Sequence, residues 1–361
     1  MLFKKKTLQQ QVLECIGQAI APEIFNKLIE QQLLTVESEG AAINITLPFY
    51  APQWLSQLQQ QLSQPLTSLF ARDPVWNVNY KVPTFEHKTA PNINPNIKNI
   101  IAVSSGKGGV GKSTVSVNLA LAFAKNGAKV GLLDADMYGP SLPLMLGQKT
   151  AKASSADGKL LQPIDAHGIV CNSIGFLVDD NDAMIWRGPM ASKALQQVLN
   201  ETDWPLLDYL IVDMPPGTGD IQLTMSQSVA ITSSVVVTTP QDIALIDAQK
   251  GIVMFNKVDV HVAGIIENMS LYNCVKCGHQ EAIFGTGGGK KLAQEFNIPF
   301  LGALPLHIQY REDTDAGYPT VAKNEQETLV APYLQLAEDV SINLFQDLKP
   351  TIEQIKITEL K

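Results

Sequence analysis

Two short stretches carry residue types whose spacing can do chemistry: VSSGKGGVGKST, from Val103 to Thr114, and NMSLYNCVKCGH, from Asn268 to His279. The first fits G-x-x-x-x-G-K-[ST] from Gly106 to Ser113, a pattern whose glycines let the backbone curl and aim N–H groups at phosphate oxygens. Gly106, Gly108, Gly109, Val110 and Gly111 make the curl. Lys112 is placed to hold the β- and γ-phosphates of ATP, Ser113 to give its hydroxyl to Mg²⁺, and Thr114 to touch the α-phosphate. Lys107 is one lysine more than this chemistry needs. Asp213 ends the apolar run YLIVD ahead of MPPGTGD, where a carboxylate suits Mg²⁺ and a Pro-Gly-rich loop suits sensing of the γ-phosphate. Asp134 and Asp136 end KVGLLDAD, so that one of them can orient an attacking water; solvated turn carboxylates fit the same places. The second stretch has C-x-x-C spacing at Cys274 and Cys277, which puts two thiolates on one metal centre. A redox pair, half of a zinc ribbon and a structural turn fit that spacing too. His279 reads as a surface side chain, and Cys15 and Cys171 lie in apolar settings that make them core residues.

Composition bounds what these groups can belong to. The 361 residues are 45% hydrophobic and 17% charged, enough for about two domains and a large core. A net charge of −8 argues against a nucleic-acid binder, which needs a basic face. No apolar run reaches the roughly 18 residues of a membrane span. MLFKKKTLQQQ has a basic patch with no apolar segment behind it, so no signal peptide is expected. Four cysteines are too few for a disulfide framework in a chain of this size. A soluble, cytoplasmic protein is the expectation, with neither nucleic acid nor membrane as partner.

The elements that must position the two stretches fall into two grammars. From residue 1 to 82 the chain reads as a small α+β domain. Leu8, Val12, Cys15, Ile16, Ala19 and Ile20 share a helical face, and Ile43, Ile45 and Leu47 alternate as a half-buried strand. A second helix through Trp54, Leu55, Leu58 and Leu62 is expected to close at Pro65. Trp76, Val78, Tyr80 and Val82 give another strand. Residues 83–97, rich in Pro and Asn, read as a linker. From 98 to 361 the runs NIIAVSS, KVGLLDAD, YLIVDMPP, SVVVTTP, HVAGIIENM and PFLGALPL are continuous and apolar, as strands covered on both faces must be. Helical patterns lie between them. The expectation is an α/β P-loop fold, with a mostly parallel sheet covered by helices on both sides. The tail TIEQIKITELK reads as frayed helix.

The form K-G-G-V-G-K-S-T resembles the deviant Walker A loop of the family that contains the nitrogenase iron protein and the MinD, ParA and ArsA ATPases. That resemblance implies that Lys107 reaches across a dimer to the partner's nucleotide, a positive charge supplied in trans to the transferring phosphoryl group. A two-fold dimer also brings Cys274 and Cys277 of both chains to one axis, giving the four thiolates that a [4Fe–4S] cluster takes. Taken together, SSGKGGVGKST, LLDADMYGPSLP, WRGPMASKAL, DYLIVDMPPGTGDIQL, VVVTTPQDIALIDAQKGIVMF, IENMS with CVKCGH, and IFGTGGGKKLA are similar to the Mrp/ApbC family of iron–sulfur cluster carriers, from about Asn96 to Thr320. What the resemblance implies is a homodimeric ATPase that holds a labile [4Fe–4S] cluster between subunits and hands it to apo-proteins. It implies Gly106 to Thr114 for the nucleotide and Asp134, Asp136 and Asp213 for Mg²⁺ and hydrolysis. It further implies Cys274 and Cys277 as cluster ligands, Asn268 as an adenine contact, and Pro305, Leu306 and His307 beside the base. The amino-terminal region is more loosely similar to a small assembly domain, through APEIFNKLIEQQLLTVE. Phe49-Tyr50-Ala51 stands where such domains often have a cysteine, so docking or regulation is its expected role. A MinD- or ParA-like positioning ATPase, an electron donor like the nitrogenase iron protein, and a dimer with Zn²⁺ on its cysteines are the competing readings.

Overall fold

A strand buried on both faces cannot alternate polar with apolar residues, and the apolar runs after residue 97 behave accordingly except that at Phe300–Ala303, which lies at a sheet edge and is only partly buried. In the computed structural model, residues 6–86, 94–137, 139–155, 158, 160–177, 188–274 and 276–351 are described, with backbone only at 188–192, 220 and 221. The tail from residue 352, residues 87–93 of the expected linker, and the start of WRGPMASKAL lie outside the described residues.

The chain begins with α1 (Leu8–Ala19), α2 (Pro22–Glu30), β1 (Leu34–Glu37), β2 (Ala42–Leu47), α3 (Pro52–Phe70) and β3 (Val75–Tyr80). These three strands form their own sheet in the order β1-β2-β3. Pro65 does not close α3, contrary to the sequence expectation. The helix runs through it to Phe70, because Leu58, Leu62 and Leu66 continue one buried stripe while Pro65 sits on the exposed side. Loss of one N–H is tolerated where the freed carbonyl faces water.

Then follow β4 (Ile97–Ser104), α4 (Lys112–Lys125), β5 (Val130–Asp134), α5 (Leu142–Met145), β6 (Ile164–Ala166), β7 (Ile169–Ser173), α6 (Gly188–Glu201), β8 (Leu207–Asp213), α7 (Asp220–Ser228) and β9 (Ser233–Thr238). The remainder is α8 (Asp242–Lys257), β10 (His261–Glu267), β11 (Tyr272–Asn273), β12 (Gln280–Glu281), α9 (Gly288–Phe296), β13 (Phe300–Ala303), α10 (Ile308–Asp315), α11 (Thr320–Lys323) and α12 (Glu327–Asp347). The large sheet has the order β13-β10-β9-β4-β8-β5-β7-β6. Every neighbouring pair in it is parallel except β6 with β7. Along β4, Ile101 and Val103 join one apolar cluster while Ile100 and Ala102 join another, so helices cover both faces. Cys171 is buried and Cys15 packs half-buried against the core, as expected of both. Among the described residues no helix is long and apolar enough to cross a membrane.

One apolar cluster is continuous from the small sheet to the large one, through Phe49, Leu344 and Phe345. A buried acid and a half-buried lysine reinforce the contact at helix ends. The Glu338 carboxylate in α12 accepts the Gln53 and Trp54 amides at the start of α3, at 2.8 and 3.0 Å. Lys27 in α2 donates to the carbonyls of Phe345, Gln346 and Leu348 at the end of α12, at 2.7, 2.9 and 3.0 Å. An acid at one helix start and a lysine at another's end are the favourable pairings with the helix dipoles.

Candidate functional site

In a parallel sheet, ligands collect at the carboxyl ends of strands where the connections diverge. Here β4 lies between β9 and β8, and the glycine-rich loop runs from its end into α4. Two of the loop's glycines are required by their surroundings. A Cβ on Gly106 would lie 2.1 Å from the backbone carbonyl carbon of Asp247 in α8. Gly111 has φ +81°, and a Cβ there would lie 2.3 Å from Asn268 Nδ2. That amide nitrogen donates to Val110 O at 2.8 Å, so Asn268 holds the loop from the far side. Gly108 and Gly109 face open space.

Parallel register brings the carboxylates together. Asp134 on β5 stands directly beside Asp213 on β8, and Asp213 beside Val103 on β4. Lys112, the first residue of α4, donates to Asp213 Oδ1 at 2.7 Å, and Ser116 one turn on donates to the same oxygen at 2.6 Å. Both members of this ion pair are almost wholly buried. Asp213 Oδ2 is buried without a hydrogen-bond partner among the described residues. An acceptor of that kind, near the Ser113 hydroxyl that lies 3.3 Å from Lys112 Nζ, fits a hydrated divalent cation.

The two aspartates after β5 part company. Asp134 is buried and accepts from the amides of Asp136, Ser141 and Leu142 and from the Ser173 hydroxyl. Burial, and next the Asp213 carboxylate, push its carboxyl above the ordinary range, while the Asp136 and Leu142 amides and then the Lys112 charge pull it back. Asp136 instead borders a cavity of about 500 Å³. Lys107, Gly108, Gly109, Gly111, Lys112, Ser113, Thr114 and Asn268 border the same cavity, and Pro305, Leu306, His307, Tyr310 and Arg311 line its other end. The volume suits a nucleotide-sized ligand whose phosphates meet the glycine-rich loop. Lys107 is half-buried, and among the described residues its ammonium makes no hydrogen bond or ion pair.

Cys274 and Cys277 lie on a hairpin whose strands, β11 and β12, are two residues each. Cys274 N donates to His279 O at 2.9 Å and Gly278 N to Cys274 O at 2.8 Å, which closes the turn. Cys274 is half-buried; Cys277 and His279 are exposed. The Cys277 amide, then the Lys276 amide, hold the Cys274 thiol below its usual value, an environment that favours thiolate. Among the described residues no group of three or more His, Cys, Asp or Glu side chains could hold a metal ion. The pair does not border that cavity. It is tied to it, because Leu306 N donates to Leu271 O and Tyr272 bridges Leu306.

Sequence reasoning missed Ser116, Ser173 and Glu267, a buried acid at the end of β10 that accepts two backbone amides. The last carried a readable signal, since it ends an apolar strand just as Asp213 does.

The Lys112–Asp213 pair permits a first prediction. Lys112→Met leaves a buried carboxylate uncompensated and is expected to lower stability to urea by about 3–5 kcal/mol. Adding Asp213→Asn should recover most of that loss, while neither variant binds ATP. If the double variant is no more stable than the single, the buried pair is not what the measurement reads.

A family model described as "ParA: NUBPL iron-transfer P-loop NTPase" matches residues 96–341. An "iron-sulfur cluster carrier protein" of Escherichia coli (strain K12) is 55% identical over 305 residues, covering 84% of this chain and 82% of that one. A protein of the same description from Haemophilus influenzae is 50% identical over 357 residues, 98% of this chain and 96% of its own. Among solved structures, a nucleotide-binding protein of Archaeoglobus fulgidus in complex with ADP superposes with TM-score 0.56 at 37% identity, covering 64% of this chain and 90% of that one.

Proposed function

The chain belongs to the ParA/NUBPL family of iron-transfer P-loop NTPases, and from that premise we propose that it is an ATP-driven carrier of iron–sulfur clusters. As a homodimer it takes up a labile [4Fe–4S] cluster as cargo and passes it to apo-proteins. The observation that carries this reading is the union of a nucleotide cavity and a two-cysteine hairpin through one short segment, residues 268–272. Two thiolates are half of what such a cluster takes, so the cargo site is complete only when two chains meet.

Within each chain the parts divide the work of ATP hydrolysis. The loop amides and Lys112 hold the phosphates, and the cavity wall at Pro305, Leu306 and His307 takes the base. Ser113 and Asp213 would hold Mg²⁺, which when bound neutralises phosphate charge. On nucleotide binding Lys112 exchanges its Asp213 partner for phosphate oxygens. Asp136, at the cavity wall, is the member of its pair placed to orient water, while Asp134 fixes the loop that carries it. Gly217 N already bonds Ser105 O at 3.0 Å, so the Pro-Gly-rich loop moves with the phosphate loop. Lys107 acts on the partner's nucleotide. Hydrolysis is slow, because the nucleotide sets the dimer's geometry and chemistry need not be fast.

Anaerobic reconstitution with iron and sulfide should give about four of each per two chains. That cluster should then move to an apo-protein with an empty four-cysteine site, at a rate that depends on nucleotide. Zinc bound without sulfide would replace this reading with the structural-metal one, and failure to transfer would leave an ATPase without a cargo.

A further inference from the structure

A hairpin with two-residue strands cannot set its own geometry, since even longer isolated hairpins are marginal in water. The cysteines therefore depend on the two limbs that carry the hairpin. The incoming limb leaves β10 at Glu267 and turns sharply at Met269, whose φ of +55° is uncommon for a non-glycine residue. It is held well: Asn268 N donates to Thr238 O at 2.7 Å, Ser270 N to Leu304 O at 3.0 Å, and Leu306 N to Leu271 O at 2.8 Å.

The outgoing limb, residues 282–289, is hydrogen-bonded to the fold through Glu267. Gly287 N donates to Glu267 Oε1 at 3.1 Å and Gly289 N to Glu267 Oε2 at 2.7 Å. Among the described residues no other hydrogen bond ties this limb to the fold outside α9. Gly287, at φ +74°, stands in the left-handed region that favours glycine, and the wrap around the carboxylate is close-packed. A Cβ on Gly288 would lie 2.5 Å from Leu245 Cδ1, and one on Gly289 would lie 3.2 Å from Glu267 Cβ. Glu267 itself is 1% exposed. A buried carboxylate is costly unless its acceptors are used, and here each oxygen takes one amide at the start of a helix.

Both limbs thus begin or end at adjacent residues, and the second of these, Asn268, holds the phosphate loop. We infer that Glu267 is a positioning residue for the cargo site: it clamps the outgoing limb of the cysteine hairpin to the strand end from which Asn268 grips the phosphate loop, so that movement of that loop reaches Cys274 and Cys277 through both limbs at once. This inference rests on the carrier reading. Glu267 touches neither nucleotide nor cargo. Its effect is on geometry, and on the coupling free energy between the two sites.

The conservative variants separate this from ordinary stability. Glu267→Gln keeps shape and burial but offers one acceptor and turns an N–H₂ toward a backbone amide. It should shorten the lifetime of the reconstituted cluster roughly tenfold, the size of one lost hydrogen bond to a charged group. ATP hydrolysis without cluster should stay near the parent rate, and the nucleotide dependence of cluster release should flatten. Glu267→Asp, with both oxygens kept but a shorter reach, should restore part of the lifetime. Two outcomes overturn the inference: a Glu267→Gln protein that holds and releases cluster like the parent, or one whose hydrolysis, cluster lifetime and melting temperature fall together. If the parent itself binds no cluster through Cys274 and Cys277, it is the carrier reading that fails, and that control is run first.

Discussion

A Cys274→Ala/Cys277→Ala protein, reconstituted without air, is expected to show no cluster absorption and to donate nothing to an apo-acceptor. Its ATP hydrolysis should remain within about a factor of two of the parent, the range of substitutions away from packed or bonded features. The separation follows from position. Neither cysteine borders the nucleotide cavity, and the hydrogen bonds that close the hairpin run through backbone groups that alanine keeps. Loss of cluster should be complete even in the single variants. Each takes two of four thiolates from a dimer, and the remaining pair cannot satisfy a four-iron core. Cys277→Ala is the cleaner of the two, because its side chain is exposed and truncating it leaves no cavity. The same samples decide between metals, since a zinc dimer would lose zinc with the thiols but would never have held sulfide. Cluster retained by the double variant would show that the cargo sits elsewhere on the chain.

What was legible beforehand follows the physics of each element. The strands β4, β5, β8, β9 and β10 were readable because burial on both faces leaves mostly Val, Ile, Leu and Ala between turn residues, and the edge strand β13 because its short apolar run stands between prolines. The phosphate loop was readable because its glycines answer to close contacts, with α8 at Gly106 and with Asn268 at Gly111. The run through Pro65 was not, because a local rule about proline competes there with a leucine stripe that only tertiary packing rewards. The short α2 and β1 passed unseen in the periodicity, each offering only two buried positions to detect. The sequence also held Asp134 and Asp136 as equivalents. Four hydrogen bonds turn Asp134 inward and leave Asp136 at the cavity, a distinction made by Ser141, Leu142 and Ser173, which lie at quite different distances along the chain. Likewise the continuity of the core past Val82 depends on α12, more than two hundred residues away, meeting α3 through Glu338.

Lys107→Ala is expected to bind ATP much as the parent does and to hydrolyse it at least roughly a thousandfold more slowly, the scale of a charge supplied to a transferring phosphoryl group. The two lysines of the loop are already distinct in the structure. Lys112 is buried against Asp213, whereas the Lys107 ammonium stands at the cavity edge beside the open flank of Gly108 and Gly109. A lysine serving its own loop would be expected to bond there, and among the described residues it does not. Action in trans makes a sharper claim than slow hydrolysis alone. A Lys107→Ala chain has a sound pocket and lacks the charge it would lend. A Lys112→Met chain has a dead pocket but keeps Lys107, and where stability limits its use the Lys112→Met/Asp213→Asn form replaces it. Mixed one to one, half the dimers are hybrids and each hybrid holds one complete site, so roughly a quarter of the parent rate should return. Two inactive proteins that stay inactive on mixing, under conditions where dimers exchange, would mean that each chain works alone. In that case neither the catalytic pocket nor the four-thiolate cargo site could be assembled as described.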